Sequence, residues 1–262
     1  MLFVRRLFFT IIIFVLLISS VSAQGTEIGP FSFDAPPQYG LTAKSAILIE
    51  ASTGRVIFEK NADAREYPAS MTKMMTAILS LEMAKPDDIV HVSNEAANVE
   101  GSSLYLEKGD AISMSELCQG MMLISGNDAA VAIADAVSGN TADFVKLMNK
   151  KAAEVGAVNT HFANPNGLPN PDHYSTARDM SKLACYAMQN QQFRRIVGTN
   201  EINIYYIQPQ AHSEHCVNTN ELLRSYPGCT GGKTGWTSAA QACLMAAAQR
   251  DGRELLVDRK SV

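Results

Sequence analysis

Two short runs near the start of the chain, 45–50 (Ser-Ala-Ile-Leu-Ile-Glu) and 55–59 (Arg-Val-Ile-Phe-Glu), carry the β-branched and aromatic residues of strands. Ala51-Ser52-Thr53-Gly54 between them is a turn, so the pair predicts a β-hairpin. A stretch apolar almost all round follows at 70–83 and predicts a buried helix. Pro68 disfavours helix at Tyr67, which puts the helix start near Ala69 or Ser70. Residues 88–103 read as loop with a short strand. Helical patterns then run over 113–125 and 127–137, broken at Gly126. Gly139 stops the second helix, and Asn140 or Thr141 caps another over 142–155. Asn164-Pro165-Asn166-Gly167-Leu168-Pro169 is a turn-rich loop, and a further helix opens at 175–180 and runs to about Gln189. Strand patterns return at 202–207, 235–236, 241–249 and 254–257. Strands, then helices, then strands describe an α+β domain whose sheet draws on both ends of the chain, with a helical insert between. No internal repeat or low-complexity tract interrupts it.

Composition changes this picture little. The chain has 262 residues, 47% hydrophobic and 18% charged, which suits a globular protein with a substantial core. The formal charge is −4, and no basic tract points to nucleic acid. The first residues read as an address. Arg5 and Arg6 precede an apolar run from Leu7 to Ile18, and Val21-Ser22-Ala23 has the small residues of a cleavage site. Residues 1–23 therefore predict a signal peptide, with an uncleaved anchor as the runner-up, and Pro- and Gly-rich 24–42 an extended linker. Cleavage removes two arginines and takes the charge from −4 to −6, which disfavours electrostatic attachment to an anionic membrane. Five cysteines, Cys118, Cys185, Cys216, Cys229 and Cys243, lie in the exported part, where disulfides are permitted. Cys118 and Cys185 fall in apolar helical patterns and read as small core residues. None of the spacings is that of a zinc site, and the polar stretch 212–216 reads as a loop. No metal or cofactor is expected.

Candidate chemistry sits at three places. Ser70 and Lys73 are three apart, a spacing that stacks side chains on one helix face. A serine hydroxyl needs a base to become a nucleophile, and a lysine whose surroundings lower its pKa can serve. Ser70 is the only serine in the chain with a lysine three residues on. Ser125-Gly126-Asn127 lies between two helices and offers a hydroxyl to relay a proton and an amide to hold a substrate amide. Ser138-Gly139-Asn140 has the same form, but Gly139 is explained as a helix stop. Lys233-Thr234-Gly235, ahead of Trp236, offers a positive charge and a hydroxyl for a carboxylate, and a bare backbone along which a substrate can lie. Each motif alone has a structural explanation as a cap, a turn or a glycine-rich strand entry. The ordered trio is far more specific and is known from penicillin-binding proteins and class A β-lactamases.

On these motifs the chain resembles the low-molecular-mass penicillin-binding proteins, the serine-type D-alanyl-D-alanine carboxypeptidases. The likeness extends to segments 43–58, 68–76, 101–106, 161–168, 173–180 and 218–223, and covers about residues 40–257. The resemblance implies a β-lactamase/transpeptidase-like fold: an antiparallel sheet flanked by helices, a mostly helical subdomain, and the active site between them. The catalytic domain would occupy 43–262. The family's roles fall on Ser70 as nucleophile, Lys73 as its proton acceptor, Ser125 as the proton relay to the departing D-alanine, and Asn127 as the orienter of the substrate amide. Lys233 and Thr234 would hold the terminal carboxylate. Gly235 would leave room for the substrate, and the backbone N–H groups of Ser70 and Trp236 would form the oxyanion hole. The implied partners are D-Ala-D-Ala stem peptides of peptidoglycan and β-lactams as covalent inhibitors, met outside the cytoplasm during cell-wall biogenesis. A β-lactamase and a non-catalytic peptidoglycan-binding or sensor protein of the same fold are the alternatives. Against the first, the Glu-x-x-Leu-Asn segment with which class A β-lactamases activate the deacylating water is missing between Ser125 and Lys233. The chain departs from the family after Val257. Asp258-Arg259-Lys260-Ser261-Val262 replaces a longer strand and a closing helix, so a truncated domain with a short sheet edge is expected there.

Overall fold

The structure, a computed structural model, describes residues 40–209 and 212–260. The expected signal peptide and residues 24–39 of the expected linker lie outside the described residues. Strands β1 (Ser45–Glu50) and β2 (Val56–Lys60) form the expected hairpin. The predicted helix 70–83 is two elements: a 3-10 turn over Ala69–Thr72, then α1 (Lys73–Met83). Pro68 explains the split. Its carbonyl accepts from Met71 N–H at 3.2 Å, and Ala69 takes the left-handed φ of 49°. Ser70 therefore sits on a tight turn ahead of the α-helix and does not cap it.

Short β3 (Ile89–His91), α2 (Asn94–Ala97) and β4 (Ala111–Ser113) lead to α3 (Met114–Leu123), α4 (Asn127–Ser138) and α5 (Thr141–Glu154). The boundaries are set by caps. Ser113 accepts from Glu116 N–H and Asn140 from Asp143 N–H, while Gly139 closes α4 at φ 84°. That explains the second Ser-Gly-Asn as a helix stop. Thr176 caps α6 (Ala177–Ala187), and Asn190 caps α7 (Gln191–Gly198). The sequence pattern did not signal α7, because its buried stripe is only Phe193 and Val197. The strand predicted at 202–207 is β5 (Glu201–Gln208). The stretch read as a loop at 212–216 is instead β6 (His212–Val217), paired antiparallel with β5. Its alternation is carried by polar residues, with Ser213 and His215 exposed and Cys216 buried, so hydropathy does not register it. After α8 (Leu222–Ser225) come β7 (Cys229–Thr237), β8 (Gln241–Arg250) and β9 (Arg253–Lys260).

Five strands form one antiparallel sheet in the order β2-β1-β9-β8-β7, so both ends of the domain meet in it as the pattern predicted. The last strand corrects the expectation of a short edge: β9 runs three residues past Val257 and is an inner strand, bonded to β1 and β8. Asp258 and Lys260 hid this continuation of the strand predicted at 254–257, being charged residues buried 3.3 Å apart. Burial pushes Asp258 up to about 6, with Lys260 pulling the other way. A second sheet, β3-β4-β5-β6, was not anticipated as a unit. Helix α1 runs through the core among the other helices. Met71 on the preceding turn and Met74, Met75 and Ala77 on α1 are fully buried, and the helix packs against α3, α4, α5, α6 and α7. Of the two cysteines read as core, Cys118 is buried and Cys185 half-buried, and all five are free thiols. Among the described residues no helix is long and apolar enough to cross a membrane.

Candidate active site

The turn before α1 places Ser70, and the first residue of α1 places Lys73. Lys73 is fully buried, and its Nζ reaches three oxygens from three parts of the chain. Ser70 Oγ lies at 3.0 Å, Asn127 Oδ1 at 2.6 Å and the Asn166 carbonyl at 2.7 Å. Burial drives the lysine well below its ordinary range. The nearby charge of Lys233 pushes the same way, and Asp128 opposes both. A neutral amine has two N–H bonds and one lone pair. Asn127 and Asn166 can only accept, so they take the two N–H bonds, and the lone pair is left facing the Ser70 hydroxyl. That is the geometry of a base poised on a nucleophile.

Asn127 heads α4 and is tied down on both sides. Its Nδ2 donates to Glu100 O at 2.6 Å, and its N–H to Ser102 O at 2.7 Å. Ser125, just before it, holds a left-handed φ of 68°. Its Oγ is buried and has no hydrogen-bond partner among the described residues. A buried hydroxyl without a partner is costly, and such groups cluster where a ligand supplies the partner.

Strand β7 forms the opposite wall. A Cβ on Gly235 would lie 2.9 Å from Ser70 N and 3.1 Å from Ala69 Cβ, so only glycine lets the strand pass this close to the Ser70 turn. Lys233 is 1% exposed, donates to Thr234 O at 2.9 Å, and is lowered by burial to about 7. The Thr234 hydroxyl meets that of Thr219 at 2.6 Å. Trp236, next along, is 66% exposed.

All three motifs thus converge on Ser70. Five further residues belong to the same site and were not among the candidates read from the sequence. Asn166 offers Lys73 a backbone carbonyl, which no side-chain motif encodes. The next residue, Gly167, has φ 93°, and a Cβ there would fall 2.0 Å from Ala69 O, so the Asn-Pro-Asn-Gly turn lies directly under the Ser70 turn. His173 Nδ1 accepts from Ala163 N–H at 2.9 Å, so its proton is on Nε2 and is donated to Thr72 Oγ1 at 2.7 Å. Burial, helped by His161, lowers His173 to about 4 and keeps it neutral. Thr219 and Asp128 complete the set.

This fold, with a serine and a dehydrated lysine at the junction of sheet and helices, is that of the Ser–Lys peptidases that the motifs resemble. The chain belongs to the D-alanyl-D-alanine carboxypeptidase family, peptidase family S11, whose model matches residues 32–257. It is 43% identical over 214 residues to D-alanyl-D-alanine carboxypeptidase DacF of Bacillus subtilis, covering 79% of this chain and 54% of the relative. To DacA of Haemophilus influenzae it is 33% identical, over 91% of this chain and 60% of the relative. The chain thus spans little more than half the length of these curated relatives. Among solved structures it is similar to a mutant of the Streptomyces K15 DD-transpeptidase, at 33% identity and a TM-score of 0.81, covering 83% of this chain and 90% of that one.

Proposed function

We propose that this protein is a serine-type D-Ala-D-Ala carboxypeptidase, which removes the terminal D-alanine from peptidoglycan stem pentapeptides through an acyl-enzyme on Ser70. The observation that carries the proposal is Lys73, buried, hydrogen-bonded to Ser70 Oγ and held by two acceptors that leave its lone pair to the serine. Lys73 accepts the Ser70 proton as Oγ attacks the carbonyl of the D-Ala-D-Ala bond. Negative charge develops on the carbonyl oxygen, where the backbone N–H groups of Ser70 and Trp236 are assigned to receive it. The C–N bond then breaks. Ser125 passes a proton to the departing amine, D-alanine leaves, and Ser70 carries the acyl group as an ester. Asn127 orients the substrate amide. Lys233 and Thr234 bind the terminal carboxylate, whose charge restores the proton that burial makes Lys233 reluctant to keep. Water attacks the ester and frees the enzyme.

β-Lactams present a strained amide and a carboxylate to the same groups, so the protein is acylated by them. Family membership supports this reading. Action on the cell wall places the protein outside the cytoplasm, with residues 1–23 as the export signal. Hydrolysis of β-lactams as a main activity is disfavoured. The three partners of Lys73 are a serine hydroxyl, an asparagine amide and a backbone carbonyl, and none is a carboxylate able to activate a deacylating water. The test is release of D-alanine from a peptide ending in D-Ala-D-Ala. Stoichiometric turnover with slow loss of bound penicillin supports the carboxypeptidase. Rapid turnover of penicillin with no D-alanine released identifies a β-lactamase, and neither activity identifies a binding protein.

A further inference from the structure

Asp128, one residue beyond Asn127, is 1% exposed and takes no part in the steps above. Four donors converge on its carboxylate. Leu104 N–H reaches both oxygens, at 3.0 and 2.8 Å. Leu106 N–H lies at 3.1 Å, Ala129 N–H at 2.8 Å and the Ser103 hydroxyl at 2.5 Å. All are donations, the arrangement an ionised carboxylate takes. Three of the four come from one loop. That loop is not held by regular secondary structure, and Tyr105 within it carries a left-handed φ of 60°. Its backbone N–H groups turn inward because Asp128 is there to receive them. Leu104 is locked further. Its side chain fills the space a Cβ on Gly120 would need, at 2.3 Å, and its carbonyl accepts from the Tyr206 hydroxyl at 2.8 Å. The same loop supplies, just upstream, the Glu100 and Ser102 carbonyls that hold Asn127.

We propose that Asp128 is a positioning residue: by gathering the donors of the Ser103–Leu106 loop it clamps the loop that holds Asn127, and it sets a fixed negative charge near Lys73. The proposal rests on Lys73 being the base. The groups that face the two residues are few. Lys73 meets Ser70, the Asn127 amide of α4, the Asn166 carbonyl, and the charge of Lys233 on β7. Asp128 meets its four donors, the charge of Lys73, and Tyr206 of β5, which Asp110 and Glu214 also influence. Of these charges, Asp128 is the one that favours the protonated lysine. Removing it therefore makes Lys73 easier to deprotonate, so the base is available at lower pH, while the loosened loop slows the reaction.

The test is the second-order rate of Ser70 acylation by a fluorescent penicillin against pH, normalised to the fraction of protein that titrates with penicillin. In wild type the rate rises as Lys73 loses its proton. In Asp128→Asn this acid limb moves to lower pH, and the plateau falls by about 10- to 100-fold, the scale expected from misplaced catalytic groups. Ser103→Ala removes one donor and keeps the charge. Its plateau falls by roughly 3- to 10-fold with the limb unmoved. A limb that stays put or moves up in Asp128→Asn overturns the proposal. So does a limb that moves as far in Ser103→Ala, or a wild-type plateau in Ser103→Ala. The last comparison stands even where Asp128→Asn does not fold. A wild type that is never acylated defeats the base assignment itself, a different outcome from any of these.

Discussion

Lys73 and Lys233 are the same residue, both stripped of water and both lowered by burial, yet they are built for different work. Lys73 is enclosed by acceptors from α4 and from the Asn164–Gly167 turn, with Ser70 as its third partner. Lys233 sits on a strand, donates to the carbonyl of its own neighbour, and stands beside a hydroxyl pair at the cleft. The contrast shows that burial alone does not make a lysine a base. Burial frees the proton, and the surrounding acceptors decide whether the lone pair faces a nucleophile. Lys233 lacks that cage, and burial lowers it to about 7, where an incoming carboxylate can recharge it.

Three changes should separate the two lysines, in decreasing order of effect. Lys73→Ala removes the proposed base, and the rate of Ser70 acylation should drop by about 10²–10⁴-fold, measured by stopped-flow with a fluorescent penicillin. A rate within a few-fold of wild type would move the base role elsewhere. Gly167→Ala attacks the cage from beneath. Its φ of 93° alone costs an ordinary residue about 1–3 kcal/mol, and the added methyl meets Ala69 O. A melting temperature lower by roughly 5–10 °C is expected, with acylation slowed in what remains folded. An unchanged melt would mean that the turn does not brace Ser70. Lys233→Ala should act on choice of substrate. For a peptide with a free terminal carboxylate, kcat/KM should fall by roughly 10- to 100-fold, and for the C-terminal amide it should hardly change.

The pH profile sharpens that last test. A carboxylate clamp at Lys233 needs the protonated amine, which burial lowers to about 7, so kcat/KM for the acid substrate should fall as pH rises through that region. The base proposed at Lys73 needs the neutral amine, so the same profile should rise on the acid side. The amide substrate should keep the rise and lose the fall. A falling limb common to both substrates would contradict the carboxylate clamp.

Much of this was legible in the sequence where side chains carry the information. The hairpin from Ser45, the buried helix after Ser70, the stop at Gly139 and the cap at Asn140 follow from local rules. The trio was legible as residues, and the structure brings Ser70, Lys73, Asn127 and Gly235 into contact. What escaped was carried by backbone or by long-range fit. The Asn166 carbonyl is invisible to a side-chain motif, as is the 3-10 turn that lifts Ser70 off α1. Strand β6 hides behind polar alternation, and the last three residues of β9 behind buried Asp258 and Lys260. Asp128 reads as an ordinary acid in a first helical turn. Only the convergence of a loop 22 to 25 residues upstream gives it a purpose.

Ser70 is the proposed site of acylation, and mass spectrometry of the intact protein after incubation with penicillin tests this directly. The wild type should gain the mass of one β-lactam, and Ser70→Ala, folded by its melt, should gain none. An adduct of the same mass and stoichiometry on Ser70→Ala would contradict the account and place the nucleophile elsewhere.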